Sequence, residues 1–344
     1  MSRVAVVLMN LGGPDSLDAV EPFLRNLFRD PAIIGAPGPV RRLLARLIAK
    51  RRGPEAREIY RTIGGRSPLL EETEAQAAAL QAALGDLGEV EVAIAMRYWH
   101  PMSDAAVQRV ATFGPDRIVL LPLYPQFSTT TVASSLAAWH SAARAVGIAI
   151  PTQAVCCYPR ADGLIAAHAA LIEPLLAAAA EAGTPRLLFS AHGLPKRVVA
   201  RGDPYQWQVE ETARRIVARL GRDGLDWTVC YQSKVGPLAW LEPATVDELD
   251  RAGRDHVPVI LVPIAFVSEH SETLVELDVT YREHAERAGV PVYHRVPALG
   301  THPAFIEALA GLVRRALDGE AHLDSGEGGR LCPAAHVGCP LAAG

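Results

Sequence analysis

The amino-acid sequence predicts an α/β protein made of two doubly wound domains. At 344 residues the chain is longer than one compact core usually holds, so two domains are the natural division. Short continuous Val/Ile/Leu runs alternate with helix-length segments, the pattern left by parallel strands that are buried on both faces. Polar, glycine-bearing turns follow those runs in two successive sets, which marks a repeat.

The expected strands are Val4–Met9, Val90–Met96, Arg117–Leu123 and Ala149–Cys156 in the first half, and Arg186–Ser190, Trp227–Tyr231, Val257–Ile264 and Val290–Tyr293 in the second. Expected helices between them include Glu71–Leu84, Asp104–Thr112, Thr131–Ala145, Leu164–Ala182, Gln206–Leu220 and Glu269–Ala288. First-half strands lead into Asn10-Leu11-Gly12-Gly13-Pro14, Arg97-Tyr98-Trp99-His100-Pro101 and Tyr124-Pro125-Gln126-Phe127-Ser128. Second-half strands lead into Ser190-Ala191-His192-Gly193-Leu194-Pro195, Gln232-Ser233-Lys234-Val235-Gly236-Pro237 and Phe266-Val267-Ser268-Glu269-His270. Turns placed directly after parallel strands lie at the carboxyl edge of the sheet, where open α/β folds bind ligands. Two such edges facing each other would form one cleft. The expected division is 1–150, with an inserted lip at about 25–65, then 151–318, then a C-terminal extension at 319–344.

From Arg41 to Arg61 the lip carries eight Lys/Arg against two acids, with Leu43, Leu44, Leu47 and Ile48 on one helical face after Pro31-Ala32-Ile33-Ile34. Either that stripe docks a surface helix, or it is a mobile apolar and basic lip for an amphipathic, acidic ligand or a membrane surface. A net charge of -4 gives no electrostatic reason to expect nucleic acid. The opening run Val4–Leu8 is too short for a signal peptide and has no cleavage site after it, so a cytoplasmic protein is expected. The Ala-rich run Leu164–Ala182 is broken by His168, Glu173, Pro174 and Glu181, so any membrane contact should be peripheral. Five cysteines in such a chain argue for metal ligation or burial rather than disulfides.

Two groups carry candidate chemistry. His192 lies at a strand end with Gly193 and Pro195 shaping the turn. A histidine there is more often structural than catalytic, yet a neutral imidazole can accept a proton or bind a borderline metal at physiological pH. Glu269, Glu272 and Glu276, spaced by three and four, line one helical face that Glu283 extends. That row is either a solvated face favouring the helix dipole or a carboxylate path for protons or metal ions.

Asn10–Pro14, Phe189–Pro195, Ser233–Pro237 and Phe266–Leu274 occur in an order that closely resembles ferrochelatase, over roughly residues 4 to 315. The resemblance implies two similar Rossmann-like domains with four-stranded parallel sheets flanked by helices, and a porphyrin between them. It implies insertion of Fe²⁺ into protoporphyrin IX with loss of two protons, the last step of haem biosynthesis. His192 matches the active-site histidine, and Glu272 the carboxylate opposite it. Met9, Ser67, Arg97, Tyr98, Tyr124, Ser128 and Trp240 match substrate-binding positions, while Glu269, His270 and Glu276 extend a proton or metal path. Trp240, Tyr98 and the lip could clamp the ring, with Arg97 or a lip arginine on a propionate. Core packing is the competing reading for Trp240.

The tail Leu331-Cys332-Pro333-Ala334-Ala335-His336-Val337-Gly338-Cys339-Pro340 resembles the extension through which many ferrochelatases hold a [2Fe-2S] cluster. It has two cysteines where three are usual, and Thr129 stands at the internal cysteine position. Cys157, Cys332 and Cys339 are the expected ligands, with a fourth unassigned. A chelatase for another metal and tetrapyrrole, or a haem or metal carrier without turnover, is the alternative function. A hydrolase built on Ser190 and His192 is disfavoured because no G-x-S-x-G elbow is present.

Overall fold

The structure is a computed structural model that describes residues 2–234 and 236–342. It divides into two compact units. Unit 1 holds the residues up to Cys157 together with Leu309–Gly328; unit 2 holds Tyr158–Ala308 and the residues from Gly329 onward. Unit 1 begins with β1 (Arg3–Asn10), α1 (Val20–Arg29), α2 (Gly38–Thr62), α3 (Leu69–Ala83) and β2 (Glu89–Met96), and continues through α4 (Ser103–Phe113), β3 (Arg117–Pro122), α5 (Val132–Val146) and β4 (Thr152–Val155). Unit 2 contains α6 (Asp162–Ala179), β5 (Arg186–His192), the single turn α7 (Lys196–Val199), α8 (Tyr205–Leu220) and β6 (Asp226–Gln232). It continues with α9 (Thr245–Asp255), β7 (Val259–Pro263), a π-helix (Glu272–Thr280) that runs into α10 (Tyr281–Ala288), and β8 (Tyr293–Arg295). Helix α11 (Pro303–Asp318) then leads back to unit 1, where β9 (Leu323–Asp324) ends the sheet.

Every strand pair is parallel, in the orders β2-β1-β3-β4-β9 and β6-β5-β7-β8. The fold class is the expected one, but the first sheet has five strands rather than four. The extra strand is two residues long and pairs Ala154 with Leu323 and Val155 with Asp324. It has no apolar run, and it lies in the Gly/Glu-rich segment 319–329 that reads as a linker. Strand β8 starts three residues later than expected, because Gly289 takes φ +87° and the Val290 N–H bonds back to Ala285, so Val290 still closes α10.

Alternation along β5 builds the core of unit 2. Leu187, Phe189 and Ala191 pack with Ile172, Leu176, Val209 and Ile216, while Leu188 faces Cys230, Leu249, Leu261, Leu277 and Ala285 on the other side. Helix α6 with its following turn, Asp162–Ala182, is long and apolar enough to cross a membrane. Its Ile165, Ile172 and Leu176 are buried in this core, however, which accounts for their apolar character.

The topology fixes where a site belongs. After β5 the chain adds β6 on one side and then crosses to β7 on the other, so the carboxyl end of β5 is the switch point of its sheet, and β1 holds the same place in unit 1. His192 ends β5, and Asn10 ends β1.

The lip helix α2 packs through Ala45, Ala49, Gly53 and Tyr60. The docked-stripe reading is therefore wrong: Leu43 and Leu47 are each 58% exposed, with Val40 and Leu44 also at the surface. Small residues on the opposite face allow α2 to lie close to α1, leaving the leucines outward.

Leu261 is fully buried at the centre of β7. Leu261→Ala should destabilise the folded state by about 2–5 kcal/mol, read as a lower midpoint in urea with an unchanged slope.

Candidate active site

In unit 2 the carboxyl edge of the sheet gathers an imidazole and two carboxylates. His192 Nδ1 lies 2.8 Å from Glu272 Oε2. The ring's register partner across the sheet, Gln232, donates through Nε2 to Glu272 at 3.3 Å and Glu276 at 3.4 Å, and its Oε1 accepts from Ser190 Oγ at 2.8 Å. Ser233 follows with φ +61°, a left-handed conformation that is uncommon outside glycine. In that conformation the Ser233 N–H donates to Glu276 Oε1 at 2.9 Å, while its hydroxyl lies 3.1 Å from Glu272 and 2.5 Å from Glu276. The Tyr281 hydroxyl also donates to Glu276, at 2.8 Å. Gly193 is required beside this group, because a Cβ there would stand 2.8 Å from the Gln232 carbonyl oxygen and 3.4 Å from the Trp240 ring.

The two acids differ in electrostatic state. Burial works against the Glu272 carboxylate, but His192 and the Ser233 hydroxyl outweigh it and hold its pKa well below the usual carboxylate range. Glu276 is pushed up by burial and by the Glu272 charge. Burial likewise opposes a charge on His192, but the Glu272 carboxylate overrides it and raises the imidazole above 6.5; the side chain is 41% exposed, so the desolvation is partial. His270 is lowered by burial despite the neighbouring acids, and its ring lies 4.7 Å from that of Phe266.

This geometry changes two expectations. His192 and Glu272 are not opposed across a ring: their direct hydrogen bond leaves no room for a macrocycle between them, because both belong to the same carboxyl edge. The carboxylate row is also broken. Glu269 is turned to Arg295 at 2.7 Å and accepts the Ala298 N–H at 2.9 Å, while Glu283 sits 3.8 Å from Arg287. Trp240 is half-buried against Gly193 beside the Pro195 bridge and is not a core residue. Ser190 is fully buried, bonded to Gln232 and 3.0 Å from the Thr245 hydroxyl, so it is no nucleophile. Val235 of the Ser233–Pro237 motif lies outside the described residues.

The remaining candidates lie in unit 1. Met9 and Ser67 are buried near the end of β1, with Ser67 so close to Gly13 that a Cβ there would collide with its hydroxyl. Ser128 is buried with its hydroxyl 2.8 Å from Thr130, and burial pushes the Tyr124 phenol up. Arg97 does not present a free fork. Its Nη2 meets Asp30 Oδ2 at 2.8 Å, its Nε donates to Ser134 at 2.7 Å, and Asp30 also takes the Tyr98 hydroxyl at 2.7 Å. Asp30 and Ser134 were not legible as site residues. Neither were Gln232, Tyr281 and Arg295, whereas Ser233 lay inside a recognised motif without a role.

Cys157 belongs to unit 1, and Cys332 and Cys339 to unit 2. Gln208 Nε2 lies 3.2 Å from Cys332 Sγ, and Cys157 Sγ lies 3.5 Å from Cys156 Sγ. Among the described residues, no group of three or more His, Cys, Asp or Glu side chains could hold a metal ion.

Comparison with known proteins points one way. A family model for ferrochelatase matches residues 3–317. The ferrochelatase of Caulobacter vibrioides is 53% identical, over 99% of this chain and 98% of that one; the ferrochelatase of Hyphomonas neptunium is 51% identical, over 99% and 95%. Among solved structures, SirB from Bacillus subtilis with Fe³⁺ shares the fold with a TM-score of 0.54 at 10% identity, over 92% of this chain and 96% of that one.

The His192–Glu272 bond sets a pH window. The raised imidazole contributes stability at low pH and loses it as pH rises through the raised pKa; the depressed carboxylate contributes above 4.5 and loses its share as pH falls through its own value. In Glu272→Gln the imidazole should titrate at lower pH than in the wild type, measured by NMR of the ligand-free protein.

Proposed function

The chain belongs to the ferrochelatase family, and from that premise we propose that it inserts Fe²⁺ into protoporphyrin IX, forming protohaem and releasing two protons, as a lyase of the metal-chelatase type. The supporting observation is the 2.8 Å bond between His192 Nδ1 and Glu272. It orients the ring and reserves Nε2 for the substrate, as a carboxylate partner does for histidines that bind metals or move protons.

Neutral His192 takes a pyrrole proton at Nε2, and the adjacent Glu272 anion stabilises the imidazolium as it forms. As the proton at Nδ1 passes toward Glu272, the Ser233 hydroxyl bridges Glu272 and Glu276, and Glu276 holds a proton to higher pH than an ordinary carboxylate. The relay therefore runs Glu272, Ser233, Glu276. Glu269 supports it structurally, and His270 stands neutral beside it. The same nitrogen and carboxylate are hard-to-borderline donors for the substrate iron as it loses water.

Met9, Ser67, Tyr98, Tyr124, Ser128 and Trp240 form the substrate-binding set in this reading. Arg97 braces the set through Asp30 rather than meeting a propionate, which leaves that task to the lip arginines. In this reading the enzyme works in the cytoplasm. Exposed Val40, Leu43, Leu44 and Leu47 beside Arg42, Arg46 and Arg51 support peripheral contact with an anionic membrane surface. Cys157, Cys332 and Cys339 stay the candidate ligands of a [2Fe-2S] cluster in this reading, with the fourth unassigned, and no step is routed through one.

A carrier without turnover makes a different prediction for His192. His192→Ala should reduce insertion by about 10²-fold or more while porphyrin still quenches the protein's fluorescence. Retained insertion would refute the assignment.

A further inference from the structure

Glu272 and Glu276 lie on a π-helix of nine residues, Glu272–Thr280. Such i→i+5 bonding mostly occurs as single-turn bulges within α-helices, so a run of this length needs an external hold. Arg295 on β8 is placed to supply one. Its side chain is nearly fully buried, its Nη1 lies 2.7 Å from Glu269 Oε1 just ahead of the segment, and its Nη2 lies 2.6 Å from Asp278 Oδ2 near the segment's end. Glu269 is fixed in turn by the Ala298 N–H and the Thr273 hydroxyl. An α-helix over the same residues would rotate Asp278 around the axis relative to Glu269, and one guanidinium could no longer reach both. A lysine, as a single point charge, could not span them either.

We propose that Arg295 is a positioning residue for iron insertion. Its two-carboxylate clamp holds 272–280 in the π form, which keeps Glu272 against His192 and Glu276 against Ser233. The inference rests on the roles assigned above to those groups, and it accounts for Glu269 as an anchor of the helix rather than a member of the path.

The test uses Arg295→Met, Arg295→Lys and Asp278→Asn in the full chain, with Glu272→Gln as a control. Asp278 is partly exposed, so Asp278→Asn cuts one arm of the clamp at a tolerant position and decides the question if Arg295→Met does not fold. Thermal melts establish folding, steady-state assays give kcat and KM for Fe²⁺ and for porphyrin, and fluorescence quenching gives porphyrin Kd. Asp278→Asn and folded Arg295→Met should lose about tenfold or more in kcat/KM for Fe²⁺, with porphyrin Kd within about twofold of wild type, and Arg295→Lys should not restore the rate. Wild-type Fe²⁺ kinetics in Asp278→Asn or in folded Arg295→Met, or a loss shared equally with porphyrin binding, overturns the clamp. If Glu272→Gln itself inserts iron normally, the reading of the site fails instead, whatever Arg295 does.

Discussion

The arrangement of unit 2 depends on one contact, the hydrogen bond that couples His192 to Glu272 at the switch point of a parallel sheet. A histidine at a strand end is free to titrate in either direction. A carboxylate against Nδ1 fixes the ring, raises its basicity and leaves the other nitrogen for chemistry. A second acid four residues on would ordinarily weaken this arrangement, since like charges in low dielectric repel. The structure relieves the repulsion unevenly. Glu272 keeps its charge through His192, whereas Glu276 holds its proton more tightly and is surrounded by donors from Ser233, Gln232 and Tyr281. Two identical side chains thereby acquire different pKa values, which is what a directional proton path requires.

The backbone bears the strain of this arrangement. Ser233 adopts a left-handed conformation, and the helix that carries both acids is a π-helix anchored at its two ends by Arg295. Unit 1 solves a related problem just beyond its edge strand β2 by a different route. There the buried Asp30 is satisfied by Arg97, Tyr98 and Ser134 together, and its Oδ1 accepts the Ala32 N–H at 2.8 Å, fixing the chain between α1 and α2. A buried ion pair of this kind contributes mainly geometry, because desolvating the charges offsets most of their attraction.

The layers of the fold were legible because parallel strands covered on both faces leave continuous apolar runs, and β1, β2, β3, β5 and β7 all carry them. Strand β9 was invisible for the same reason, since a two-residue edge strand buries too little to leave a pattern. Residue spacing placed Glu272 and Glu276 on one face, and the family motifs picked out His192. What spacing could not supply was direction. Glu269 sits in the same row but turns to a guanidinium on a strand 26 residues away, and Arg97 is bound by a buried Asp30 from 67 residues earlier, which no local spacing marks. The lip failed for a related reason: the leucine stripe was the obvious docking face, yet Ala45, Ala49 and Gly53 make the contact because small residues let helices approach closely.

The coupled pair is tested most directly by the pH profile of kcat/KM for Fe²⁺ insertion in the wild type and in Glu272→Gln. A neutral His192 that accepts the pyrrole proton requires the wild-type rate to rise through an ionisation above 6.5, the ordinary imidazole value, and requires that limb to move to lower pH in the variant along with a reduced maximal rate. A limb that stays in place when the carboxylate is removed would contradict the account.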